Sequence, residues 1–130
     1  KGRMMRGSCL CGGVVFDVAL PLRPVIACHC TQCRKTSGHF WAASSVPMAQ
    51  FSLVVQDSLT WFQSSPQAKR GFCGTCGASL FWQLEGDDTI SFGAGCLDGP
   101  TGLTIASHWY KEDAGDYYDL PDGLSPAPQA

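Results

Sequence analysis

The spacing of eight cysteines constrains this 130-residue chain more than any other feature. Cys9 and Cys11 form C-x-C, Cys28, Cys30 and Cys33 form C-x-C-x2-C, Cys73 and Cys76 form C-x2-C, and Cys96 stands alone. Close pairs of this kind aim several sulfurs at one ion held at about 2.3 Å, whereas disulfides more often join distant segments. The spacing therefore predicts metal sites, with a disulfide framework or a redox dithiol as the competing reading. One domain's length gives the chain a core without covalent staples, and no export signal is apparent, so a cytoplasmic chain is expected.

Hydrophobic residues make up 45% and charged residues 15%, a balance that fits a folded chain and not a disordered one. No apolar run reaches the roughly 18 residues of a membrane helix, so no membrane partner is expected. Nine Lys/Arg against eleven Asp/Glu argue against phosphate-driven binding of nucleic acid. Alternation of Val14, Phe16, Val18 and Leu20 predicts a strand that ends at Pro21. Further strands are predicted over 24–28, 39–46, 51–55, 59–63, 79–84 and 89–93, short β-branched or aromatic runs bounded by turn formers. One helical turn is expected at 31–37, closed by Gly38. The fold class is mainly β. Residues 1–6 read as an N-terminal extension, left from cloning or native, 7–120 as the zinc-binding domain and 121–130 as a flexible tail rich in Pro, Gly, Ser and Ala.

The cysteines divide into two sites of different kinds. Cys73-Gly-Thr-Cys76-Gly is a zinc-knuckle sequence, and Cys9-Leu-Cys11-Gly-Gly supplies a matching half. Together Cys9, Cys11, Cys73 and Cys76 fill a tetrahedral shell, the arrangement of a structural zinc. Cys28, Cys30 and Cys33 supply three thiols and leave one position open, the usual sign of a catalytic zinc. His29 lies between two ligands on an extended stretch and should point away from the ion. His39 and Cys96 are alternatives for a fourth ligand that only the fold can bring into reach. Packing or solvation is the plainer expectation for His39 and His108, and a small buried thiol for Cys96. Among the larger aromatics, Phe40, Trp41, Trp61 and Trp82 read as core before pocket lining.

Three thiolates make a bound zinc a weak Lewis acid and a poor source of hydroxide, which disfavours simple hydrolysis. The same soft environment accepts another sulfur and keeps it nucleophilic. The expected chemistry is addition of a thiolate to a small aldehyde, or its reversal. Arg34, Lys35, Thr36, Ser37 and His39 lie near enough in sequence to contact the substrate.

The order C-x-C-G-G, C-H-C-x2-C-R-K-x-S-G, K-R-G-F-C-G-x-C-G and L-D-x-P followed by H-W-Y resembles the glutathione-dependent formaldehyde-activating enzyme family, which includes centromere protein V. The resemblance covers Gly7 to about Leu120. It implies a β-tent fold of small antiparallel sheets around the metal sites. It also implies a structural zinc on Cys9, Cys11, Cys73 and Cys76 and a catalytic zinc on Cys28, Cys30 and Cys33, two Zn2+ per chain. The implied substrates are glutathione and formaldehyde, joined to S-hydroxymethylglutathione by a carbon–sulfur lyase. The alternative is a zinc-stabilised interaction module without catalysis.

Overall fold

The computed structural model describes residues 3–121. The tail expected from 122 onward lies outside the described residues. The chain is mainly β, as expected, and divides into two compact units, one of residues 3–23 and 44–101, the other of 24–43 and 102–121.

In the first unit, β1 (Met4–Ser8), β2 (Val14–Ala19) and β5 (Phe51–Gln56) form a three-stranded antiparallel sheet. The chain then runs as an antiparallel meander through β6 (Leu59–Gln63), β7 (Ala68–Cys73), β8 (Ser79–Leu84) and β9 (Thr89–Gly93). The alternation seen in the sequence is the reason β2 works: Val14, Phe16 and Val18 are fully buried while their neighbours are half-exposed. Phe16 is the centre of this core, edge-on to Phe81 at 5.1 Å between ring centroids and 5.7–5.8 Å from Phe92 and Phe51. An isolated bridge from Gly7 to Leu97 and the Asp98 N–H bond to the Arg6 carbonyl fix the Cys96 segment to β1.

The second unit is built around β3 (Val25–Cys28), which pairs in antiparallel register with the start of β4 (Trp41–Pro47) and in parallel with β10 (Ile105–Trp109). This parallel pair joins strands far apart in sequence, since β10 returns to β3 only after the whole first unit has been traversed. Helix α1 occupies Thr31–Ser37 and is closed by Gly38 in left-handed conformation, as expected. Strand β4 passes from this unit into the first between Ala43 and Ser44.

The sequence reading did not find β1, β7 or β10. Strand β1 takes in residues 4–6, which read as an extension; its pairing with β2, Met4 opposite Ala19, accounts for that. No helix among the described residues is long and apolar enough to cross a membrane.

Candidate metal centres and active site

The first unit brings Cys9, Cys11, Cys73 and Cys76 together, with all four sulfurs within 4.8 Å of one another. Tetrahedral arms of 2.3 Å put thiolate sulfurs about 3.8 Å apart. The observed 3.7 Å for Cys9–Cys11 and 3.5 Å for Cys11–Cys73 fit that requirement. Two tight turns make the fit possible: Gly12 (φ +84°) and Gly77 (φ +82°) hold left-handed conformations that a side chain would strain. Each turn is closed by backbone bonds, Cys9 N–H to the Val14 carbonyl and Gly77 N–H to the Cys73 carbonyl. The sulfurs accept further bonds. Cys9 takes the Val14 N–H at 3.3 Å, and Cys73 takes those of Thr75 and Cys76 at 3.3 and 3.2 Å. Ser58, in the β5–β6 turn, reaches the Cys73 sulfur at 3.0 Å. The Cys76 N–H first, and the Ser58 hydroxyl after it, pull the Cys73 thiol down to about 5, so it is ready to bind as thiolate. Nothing in the sequence singled out Ser58.

The second unit brings Cys28, Cys30 and Cys33 within the same 4.8 Å limit. Cys28 closes β3, Cys30 is the N-cap of α1 and accepts the Cys33 N–H at 3.3 Å, and Cys33 lies buried in the first helical turn. Hydrogen bonds with Cys28 and Cys33 hold the Cys30 thiol down to about 2, while the bonds of Cys28 with Cys30 and Cys33 push its own thiol up. This set thus favours one thiolate at Cys30 and suits a soft cation. Among the described residues no other His, Cys, Asp or Glu joins either group. The sequence model of the family described as glutathione-dependent formaldehyde-activating enzyme matches residues 4–113, a span that holds both cysteine sites. The chain belongs to this family.

Individual proteins are similar to this family member as well. An uncharacterized lyase of Schizosaccharomyces pombe is 26% identical over 126 residues, covering 92% of this chain and 87% of the relative. A Halomonas elongata protein named for glutathione-dependent formaldehyde activation is 32% identical over 90 residues, 63% of this chain and 57% of that one. The crystal structure of a Rhodobacter sphaeroides protein superposes with a TM-score of 0.63 at 27% identity, over 75% of this chain and 92% of that one.

Around the three-cysteine group this family member places several polar aromatics. His29 is turned from the sulfurs into the interior, fully buried, where its Nε2 meets Nδ1 of His108 at 2.8 Å and its Nδ1 meets the Tyr118 hydroxyl at 2.5 Å. Burial first, then the neighbouring His108, His39 and Lys111, lower His29 to about 4; burial and Lys111 lower His108 as well. Both rings are therefore neutral at pH 7, and one N–H serves the bond between them. Two tautomer arrangements satisfy this chain of bonds, with Tyr118 either donating to His29 or accepting from it. Tyr118 is 89 residues from His29, and no sequence signal linked them.

The residues expected near the substrate lie on or just after α1. Arg34 Nε donates to the Asp113 carbonyl at 3.0 Å, Lys35 is exposed, and the Ser37 hydroxyl bonds the Cys33 and His39 carbonyls at 2.7 Å each. His39 is exposed, with its ring 4.3 Å from Phe40 and 4.5 Å from Tyr118. Cys96 belongs to the first unit, where its thiol lies 3.6 Å from the Ser79 carbonyl.

Proposed function

We propose that this chain is a zinc-dependent enzyme of the carbon–sulfur lyase type that makes and breaks adducts of a small thiol and a small aldehyde, as its family's name describes for glutathione and formaldehyde. The observation that supports this most is the pairing of a four-sulfur site with a three-sulfur site that no further side chain completes among the described residues. In this reading Cys9, Cys11, Cys73 and Cys76 hold a structural zinc, and Cys28, Cys30 and Cys33 hold a second, two per chain. A zinc ion held by the three thiolates supplies acidification of a substrate thiol without destroying its nucleophilicity.

The protein's own residues do the rest. The hydrogen-bonded sulfurs of Cys30 and Cys73 present ligands already biased toward the charged form. Arg34 and Lys35 offset negative charge beside the cluster, and with Ser37 and His39 they form the substrate-contacting edge of α1. The neutral His29–His108 pair keeps β3 and β10 aligned behind the cysteines.

Protein purified without oxygen should contain two zinc ions by elemental analysis. With a thiol and formaldehyde it should form the hydroxymethyl thioadduct faster than the uncatalysed mixture, followed by proton NMR. Cys30→Ser should abolish the acceleration and keep the fold. Full zinc occupancy, no acceleration and no response of the metal-substituted protein to thiols would instead favour the interaction module.

A further inference from the structure

Tyr110 follows directly after β10, whose last residue, Trp109, stands opposite Cys28 in the parallel ladder. Its backbone is left-handed (φ 58°, ψ 48°), and it is the one non-glycine residue with positive φ among the described residues. An aromatic residue in this conformation is strained, and such strain gathers where a side chain must be aimed. Neighbouring residues on a strand point to opposite faces, yet here the Trp109 and Tyr110 rings meet edge to face at 6.4 Å. The turn thus gathers two polar-tipped rings beside the end of β3.

Both tips are unspent. The Trp109 indole N–H is buried with no hydrogen-bond partner, an expensive arrangement for a donor unless another molecule's acceptor meets it. The two other tyrosines near this site are committed, Tyr118 to His29 and Tyr117 to the Gly38 carbonyl, whereas the Tyr110 hydroxyl makes no hydrogen bond among the described residues. Burial, followed by the charges of Cys28 and Cys30, raises the Tyr110 phenol above its ordinary range, so it remains a protonated donor at neutral pH.

We propose that Tyr110 is a catalytic residue that donates its phenolic hydrogen bond to the substrate's oxygen, the carbonyl oxygen of a small aldehyde or the hydroxyl of its thiol adduct, with the Trp109 N–H beside it. This rests on the thiol–aldehyde reading of the three-cysteine site. In the forward step a sulfur lone pair forms the C–S bond and the C=O π pair moves onto oxygen, where Tyr110 stabilises it. The proton lost by the thiol ends on that oxygen, so thiol plus aldehyde gives the hydroxyalkyl thioether with no oxidant. Reversal breaks the C–S bond and restores the carbonyl.

The test compares equilibrium binding of 2-mercaptoethanol and ethanethiol, the first carrying a hydroxyl near its sulfur, to cobalt-substituted wild type and Tyr110→Phe. Wild type should prefer the hydroxylated thiol by about fivefold, the scale of one neutral hydrogen bond. Tyr110→Phe should lose the preference while binding ethanethiol within about twofold of wild type. Its kcat/KM for formaldehyde should fall about 100-fold, as on losing one oxyanion donor. If Tyr110→Phe does not fold, Tyr110→Asn, which tolerates the left-handed backbone, carries the comparison. An unchanged preference in the variant overturns the assignment of Tyr110 and leaves the thiol reading standing. Failure of both thiols to bind wild type overturns the thiol reading itself.

Discussion

The two cysteine groups share one atom type and differ in their surroundings. The four-sulfur group sits between two glycine turns, with backbone N–H groups and the Ser58 hydroxyl on its sulfurs. The three-sulfur group is made from a strand end, a helix cap and a helix's first turn, beside histidines, tyrosines and an arginine. The first group joins residues from distant parts of the chain, while the second draws all three cysteines from six consecutive residues. In the proposed reading, a metal on the first group would tie distant segments together, so that its binding energy is folding energy, while one on the second would close only a local segment.

The largest effect that tests this contrast is removal of one ligand from each group. Cys9→Ser or Cys76→Ser should leave the chain unfolded or aggregated, because part of a metal-binding energy of about 10–16 kcal/mol is folding energy there. Cys30→Ser should unfold cooperatively at a melting temperature well above either. Equal losses in circular-dichroism melts would erase the distinction.

Much of this contrast is legible in the sequence. C-x-C-G-G and C-G-x-C-G specify tight turns through local chemistry, and α1 with its Gly38 cap lies where predicted for the same reason. Strands β6, β8 and β9 were also found over their full length, as their residues are β-branched or aromatic and their boundaries are turn formers. Strand β7, Ala-Lys-Arg-Gly-Phe-Cys, shows no such pattern; it is a strand because β6 and β8 pair with it on both sides. The His29–His108–Tyr118 chain was illegible because its members are 79 and 89 residues apart, although alternation along the backbone did predict that His29 would leave the cysteines.

That histidine chain gives the second unit a pH sensitivity with a definite sign. The folded-state pKa of His29, about 4, lies below the ordinary value of about 6.5 expected on unfolding. Between those values the unfolded chain binds more protons, so stability is full above pH 6.5 and falls as the pH drops toward 4, by at most about 3 kcal/mol. His108, lowered in the same direction, adds to the slope. Melting temperatures at pH 7, 6, 5 and 4 should show this loss, with metal content measured at each pH to separate it from thiol protonation. A flat profile at constant metal content would mean that the pair charges freely in the folded state.

In the first unit the corresponding polar support is the Ser58 hydroxyl on Cys73. Ser58→Ala removes a bond to a charged acceptor and should lower stability by about 1.5–3 kcal/mol in urea unfolding, with zinc retained but surrendered faster to a chelator. Thr36, whose hydroxyl bonds the Gln32 carbonyl on the exposed face of α1, is the control. Thr36→Ala should change stability by about 0.5 kcal/mol or less and leave chelator kinetics alone.

A further test concerns Cys96, the thiol outside both groups. It shares the first unit with the four-sulfur site, and burial, then the charges of Cys9 and Cys76, raise its thiol to about 11. A thiol so placed is a poor thiolate and hence a poor ligand or nucleophile at neutral pH. Its work is packing, with a weak bond to the Ser79 carbonyl at 3.6 Å. Cys96→Ala should therefore leave the zinc content at two and cost about 1 kcal/mol or less, as for losing a small half-buried group. In zinc-loaded wild type, a thiol reagent at pH 7 should modify Cys96 slowly, and the variant should lack that reacting group while retaining its metal. Loss of one zinc from Cys96→Ala would make this thiol a ligand after all, and the contrast between a closed four-sulfur site and an open three-sulfur site would need a different division of the eight cysteines.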